Sequence, residues 1–296
     1  MAGVNSCPTK IILCADCGFA CPERSRRAVK KLKIIMPKRA NDLNGSEWGR
    51  NSISIWNDIR KTPEEKALRH PAMFPMALAA RLIECFTTQE ERTVLDPFAG
   101  IGSTALAAKQ LGGKGIGIEL SSEFVELTQQ RINGTDAEAG EAVFHCADAR
   151  QLNALIPPNS IDLVITSPPY WDILLQRRSA DGKEKRHYGA EEADLGKISD
   201  YSAFLQSLKE VFSQVYEVLK AGKYCCVIVM DVRKKNRLFP LHLDLARELQ
   251  ETGFILDDFI IWDRRQEYNN LRPLGYPSVF RINKIHEYIL IFQKPK

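Results

Sequence analysis

The run Ile161-Asp162-Leu163-Val164-Ile165, closed at once by Thr166-Ser167-Pro168-Pro169-Tyr170, constrains this chain more than any other stretch. It is too short for a helix and rich in β-branched side chains, so it reads as a buried parallel strand. Strands of that kind belong to open α/β sheets, whose ligands bind beyond the carboxyl ends of the strands. The two prolines fix φ, carry no N–H, and hold the residue before each of them extended. The carbonyls of Ser167 and Pro168 are then rigid acceptors with no neighbouring donor, and the ring of Tyr170 follows directly. That arrangement suits a planar molecule bearing an exocyclic amino group. The Pro168 carbonyl and the Ser167 hydroxyl would take the amino hydrogens, and Tyr170 would stack on the ring face. Taken alone, the stretch also reads as a strand end followed by an ordinary Pro-Pro turn.

The amino-group reading implies N-methylation. The lone pair of a nucleobase amino group is delocalised into the ring and attacks poorly. Hydrogen bonds that draw the group toward tetrahedral geometry return the pair to nitrogen, where it meets a methyl sulfonium in line, so the help given is positional and electrostatic.

A second signature lies some seventy residues earlier. Thr93-Val94-Leu95-Asp96 reads as a strand, Pro97 to Gly102 as a glycine-containing turn, and Ala105 to Leu111 as a helix. Gly100 and Gly102 permit a tight turn and close approach of a ligand to the backbone. The third glycine of a phosphate-binding fingerprint is missing and no Gly-Lys-Ser/Thr follows, which disfavours a nucleotide phosphate and a nicotinamide dehydrogenase. Glu119 ends the next strand, Gly115 to Ile118, where a ribose diol is gripped in such folds. Ser121 caps a helix running to Ile132. The strand Ala142 to Cys146 leads to Asp148, a candidate acceptor for an adenine amino group and equally an N-cap for the turn after it.

The βα alternation continues with a helix over 200–219, a strand over 224–230, a helix over 240–250, and strands over 254–262 and 287–292. Seven strands are predicted, in a Rossmann-like α/β sheet with helices on both faces. Upstream, Thr62 and Pro63 open a helical turn, and a helix over Met76–Phe86 presents Leu78, Leu82, Ile83 and Phe86 as its buried face. Cys225 and Cys226 read as packing residues. Two basic, aromatic stretches, 171–197 and 263–284, read as substrate-facing loops suited to phosphates and stacked bases.

Charge divides the chain. Residues 1–72 hold 14 Lys/Arg against 7 Asp/Glu, leaving 27 against 30 for the remainder. A basic leader over residues 1–45, with Asn41 to Gly49 as a linker and the main domain over 46–296, is compatible with a nucleic-acid partner. Cys7, Cys14, Cys17 and Cys21 include one Cys-x-x-Cys pair, but the other gaps fit no zinc module, and a variable leader without metal is the expectation. Eight cysteines in such a chain argue for thiols or a metal rather than disulfides, and with no bilayer-length apolar run a cytoplasmic protein without membrane association is expected. Oligomeric state leaves no signal in the sequence.

Taken jointly and in this order, the motifs from about His70 to Lys294 resemble the S-adenosylmethionine-dependent amino-methyltransferases of DNA, most of all those acting on cytosine N4. In that resemblance Asp96, Phe98, Gly100, Gly102 and Ser103 belong to the cofactor loop. Glu119 is similar to the ribose acid, Asp148 to the adenine contact, and His70 to Phe74 to a segment closing over the methionine part of the cofactor. Ser167, Pro168, Pro169 and Tyr170 resemble the catalytic tetrapeptide, and serine at its first position is the cytosine-N4 habit, adenine-N6 enzymes more often having Asp or Asn there. The tetrapeptide follows the cofactor loop here, whereas many such enzymes have the reverse order, a circular permutation. No sizeable target-recognition segment is evident beyond the two loops, so DNA is the favoured substrate and structured RNA an alternative. A silent nucleic-acid-binding module on the same fold is the outside reading. A covalent C5 mechanism is disfavoured, since no Pro-Cys dipeptide occurs.

Overall fold

The computed structural model describes residues 39–68, 73–134, 140–173, 193–267 and 273–296. The expected leader cysteines, His70, and most of the 171–197 loop lie outside these residues.

Asn41 to Gly49 is not a linker. Asn44 caps a helix, α1 (Gly45–Asn51), through a reciprocal capping box with Glu47, and the Asn41 amide donates to the Cys85 carbonyl at 2.8 Å. Then follow β1 (Ile55–Trp56), α2 (Pro63–Ala67) with Thr62 as its N-cap, and α3 (Met76–Phe86). The alternating core consists of β2 (Thr93–Asp96), α4 (Ser103–Gln110), β3 (Lys114–Glu119), α5 (Ser122–Asn133), β4 (Glu141–Cys146), α6 (Leu152–Leu155) and β5 (Ile161–Thr166). It continues through α7 (Tyr201–Val218), β6 (Leu219–Val229), a small hairpin of β7 (Val232–Lys234) and β8 (Arg237–Phe239), α8 (Leu241–Glu251), β9 (Ile255–Asp263) and β10 (His286–Gln293).

The main sheet has eight strands rather than seven, in the order β1-β9-β10-β6-β5-β2-β3-β4. The extra one is β1, which pairs parallel to β9 with Trp56 opposite Trp262. Two residues are too few to show any periodicity, so only its extended character is legible in the sequence. β10 is antiparallel to both β6 and β9, and the pairs from β6 to β4 are parallel.

Side chains alternate between two cores, as strand geometry requires. Leu95, Val164, Cys225, Val227, Leu290 and Phe292 face one core under α7 and α8. Val94, Leu163, Ile165, Cys226, Ile228 and Ile289 face the other, under α3 and α4. Both faces being covered is why residues 163–165 of β5 and 225–229 of β6 read as unbroken apolar runs. Cys225 and Cys226 are fully buried, and burial raises both thiols. No helix among the described residues is long and apolar enough to cross a membrane, and no described group of three or more His, Cys, Asp or Glu is arranged to hold a metal.

Candidate active site

The chain runs from β2 outward to β3 and β4, then returns to the other side of β2 as β5. The gap between β2 and β5 is thus the switch point at which open α/β sheets take their ligands. The glycine loop leaves one side of that gap and the Ser-Pro-Pro-Tyr corner the other.

The loop is held by backbone geometry that glycine permits. Gly100 and Gly102 have φ of 52° and 84°, a region where L side chains are strained. A Cβ on Gly102 would also lie 2.6 Å from the Thr128 methyl and 2.9 Å from the Phe144 ring. The Ala99 amide donates to the Ile118 carbonyl at 2.9 Å, tying the loop to β3, and the Ser103 hydroxyl donates to the Phe74 carbonyl at 2.8 Å. The Arg131 guanidinium donates to the Ile101 carbonyl from α5.

Asp96 is 1% exposed and does not border the cleft. Its carboxylate accepts from Thr166 at 2.6 Å, Thr104 at 2.9 Å and the Phe98 amide at 3.0 Å. Those donors belong to the end of β5, to α4 and to the loop, so the carboxylate pins both banks of the switch point rather than facing a ligand. Burial, only partly opposed by the three donors, pushes its pKa up to about 6. With the folded value above the ordinary 3.8, folding favours the protonated form. Its contribution is fully present below about pH 4 and lost as pH rises through about 6, a cost of about 3 kcal/mol at neutrality. Asp96→Asn removes this titration, since Thr104 can turn its hydroxyl to the Ile165 carbonyl 3.3 Å away and accept from the new amide. Between about pH 4 and 7 wild type should therefore lose about 2 kcal/mol relative to D96N in urea unfolding. Parallel pH curves would refute this account of the carboxylate.

The cleft beyond the strand ends is open on one side, and its empty space with the adjoining solvent comes to about 900 Å³. Phe98, Gly100, Ser103, Glu119, Asp148 and Phe74 all border it, whereas Gly102 shapes it from behind. Glu119 accepts from the Gly100 amide and the Ser121 amide, each at 2.8 Å, and burial raises its carboxyl despite these bonds. Asp148 caps the turn after β4 by accepting from the Arg150 amide at 2.9 Å and pairs with the Arg150 guanidinium at 2.6 Å. Burial raises its carboxyl, but Arg150 more than reverses this and holds it low. One wall is made by Ala193, Asp194 and Leu195. Sequence reasoning missed these residues, because they sit in a stretch taken as a substrate loop, though Asp194 capping the Gly196 amide is a local turn signal.

Ser167 and Pro169 border this same cleft, while Pro168 and Tyr170 do not. The Tyr170 hydroxyl instead lies 3.0 Å from Ser167 Oγ and donates to Glu287 Oε2 at 2.9 Å. Burial, then the charge of Glu287, keeps that phenol well above its ordinary value. Glu287, on β10, is ion-paired with Arg264, which also holds Glu267 at 2.6 Å. Trp171 is not part of a nucleic-acid-facing loop. It is 4% exposed and at φ 55°, an outlier for a bulky residue directly after the tetrapeptide. Its indole donates to the Ile198 carbonyl at 2.9 Å, and Tyr201 and Phe239 pack on it.

A mainly parallel sheet with a glycine loop, an acid and a rigid proline corner gathered at its switch point defines a cofactor-binding domain of the Rossmann-like methyltransferase class. A general methyltransferase-domain model matches residues 95–171. More specifically, the chain belongs to the DNA methylase family, whose model matches residues 23–130 and 161–296. It is 30% identical over 165 residues to the Type II methyltransferase M.MjaI of Methanocaldococcus jannaschii, covering 50% of this chain and 54% of that one. It is 32% identical over 122 residues to the Type II methyltransferase M.BglII of Bacillus subtilis, covering 40% and 33%. The chain thus spans about half the length of these curated relatives, or less. Among solved structures, TTHA0409 of Thermus thermophilus, complexed with S-adenosyl-L-methionine, is 32% identical over 51% of this chain and 52% of that one, with a TM-score of 0.35.

Proposed function

We propose that this protein methylates the exocyclic N4 amino group of cytosine in DNA, with S-adenosyl-L-methionine as methyl donor. One observation carries the reading: Ser167 and Pro169 border the same cleft as Gly100 and Glu119. A donor gripped at the glycine loop and an amino group held at the proline corner would meet there. Glu119 would take the ribose hydroxyls, and Asp148 would take the adenine amine in place of part of its present bonding to the Arg150 guanidinium. His70, outside the described residues, and Phe74 would flank the methionine end. The base would be turned out of its stack to reach this depth. Its amino nitrogen would attack the methyl carbon, the S–C bond would break with its electron pair left on sulfur, and the proton then lost from nitrogen would pass to solvent. Of the tetrapeptide we assign the Ser167 hydroxyl, which borders the cleft, to the base; the Pro168 carbonyl and the Tyr170 ring do not border it and would have to meet the base beyond it. Serine at the first position favours cytosine N4 over adenine N6.

For the nucleic acid, the β7–β8 hairpin and the segment 273–284 supply a surface beside the tetrapeptide. Arg233, Lys235 and Arg237 are exposed on the hairpin, and Arg281 pins the segment to it through the Asn236 side chain at 2.7 Å. Tyr276 and Phe280, 79% and 91% exposed, are free to stack on bases or wedge between them.

The test supplies tritiated cofactor with PCR-amplified genomic DNA, which carries every short sequence and no methylated cytosine or adenine, followed by nucleoside mass spectrometry. The expected product is N4-methylcytosine. N6-methyladenine would overturn the base assignment. Label appearing only in unmodified ribosomal RNA transcripts would overturn the DNA assignment, and no label on any of them the enzymatic reading.

A further inference from the structure

We infer that Glu287 is a positioning residue that fixes the Ser167 hydroxyl as a hydrogen-bond acceptor toward the substrate amine, an inference that rests on the amino-methyltransfer reading above. Tyr170 has one hydroxyl hydrogen and two oxygens within reach, Ser167 Oγ at 3.0 Å and Glu287 Oε2 at 2.9 Å. A carboxylate has no hydrogen to give, so the Tyr170 hydrogen is committed to Glu287. The phenol oxygen is then an acceptor, and the Ser167 hydrogen turns to it. What Ser167 presents to the cleft is therefore lone pairs alone.

Glu287 is kept in that role by its surroundings. Its side chain is 5% exposed and its second oxygen is held by Arg264, whose guanidinium lies over the Trp262 ring, 4.9 Å from the centroid. Glu267 anchors the far side of Arg264 at 2.6 Å and 3.2 Å. The carboxylate is thus charge-paired and unable to swing away from Tyr170. An oriented acceptor at Ser167 welcomes an amino group and repels an oxo group at the same position. The chain Ser167–Tyr170–Glu287 consequently selects cytosine or adenine edges against thymine or guanine edges, with the selecting charge 117 residues from the tyrosine it acts through.

Glu287→Gln tests this with little change of volume. The new amide turns its oxygen to Arg264 and its N–H to Tyr170, which reverses the chain: Tyr170 now donates to Ser167, and the Ser167 hydrogen is released toward the substrate. The kcat on PCR-amplified genomic DNA should fall roughly thirtyfold to several hundredfold, while calorimetric affinity for S-adenosyl-L-methionine stays unchanged. Tyr170→Phe should fall comparably, and the double variant no further than the worse single one, since both act through one hydrogen. Equal kcat in E287Q, or losses that multiply in the double variant, would overturn the inference. A substrate-free reading separates this from failure of the functional assignment. In protein labelled with ¹³Cζ-tyrosine, the Tyr170 resonance, assigned by its loss in Y170F, should move upfield in E287Q as donation to a carboxylate ceases. An unmoved resonance would sink the hydrogen-bond chain whether or not the wild type methylates DNA.

Discussion

Glu119→Ala is expected to weaken S-adenosyl-L-methionine binding about a hundredfold or more by calorimetry, with only a small loss of thermal stability. The magnitude follows from what the carboxylate does twice over. It accepts from the Gly100 and Ser121 amides, both at 2.8 Å, so it sets the glycine loop and the start of α5 relative to β3. Glu119 also borders the cleft, where, on the function proposed above, a ribose would offer two hydroxyl donors. Hydrogen bonds to a charged group are worth about 1.5–3 kcal/mol each, and the loss of two exceeds about 3 kcal/mol, a factor above a hundred. The two freed amides lie at an open cleft where water can reach them, which limits the cost to the fold. Glu119→Gln should be nearly as damaging, because its amide N–H would oppose one of the two backbone N–H groups. Burial raises the Glu119 carboxyl, and the sign of the pH effect follows. Affinity should be highest where the group is ionised and fall as pH drops through its raised value, a dependence that E119Q should lack. Unchanged affinity in either variant would place the cofactor elsewhere.

The strand ends that carry this site were legible because buried parallel strands cannot hide their composition. Val94, Leu95, Leu163, Val164 and Ile165 each serve one core or the other, so the run stays apolar on both faces and its last residue announces a loop. The acid at Glu119 was legible because its distance from the glycine turn is set by one helix and one strand. Long-range chemistry was not. Nothing near Tyr170 in sequence indicates Glu287, and Arg264 lay inside a stretch whose charge suggested phosphate. Asp96 shows a different limit. An acid before a glycine turn reads in sequence as part of a cofactor loop, yet the Asp96 side chain serves the fold, because three donors surround it that only the folded chain brings together. The α1 helix was missed although Asn44 and Glu47 spell a capping box, since seven residues without a buried face give no periodicity to support the cap.

Gly115→Ala should have the other large effect, and on both stability and cofactor binding. Gly115 lies within β3, where α4 crosses the sheet. A Cβ built there would lie 2.4 Å from the Ala105 Cα, 2.4 Å from its carbonyl oxygen and 2.8 Å from its carbonyl carbon. These are backbone atoms of a buried helix, not the end of a flexible side chain, so the contact is relieved only by moving α4 as a body by about 1 Å. Overpacking of this kind costs about 1–3 kcal/mol, and the upper end applies where helix and strand are both fully buried. Because α4 starts at Ser103, directly after the glycine loop, the same displacement drags Gly100 from Glu119 and Thr104 from Asp96. Affinity for the cofactor should therefore fall together with the urea midpoint, whereas Gly115→Val should fail to fold. Gly49→Ala is the control: it sits in α1 with nothing within 4 Å of a built Cβ, and should gain about 0.5–1 kcal/mol from helix propensity and a less flexible unfolded chain. If Gly115→Ala matched that control in both measurements, the close approach of α4 to β3 would not be what holds the glycine loop against Glu119.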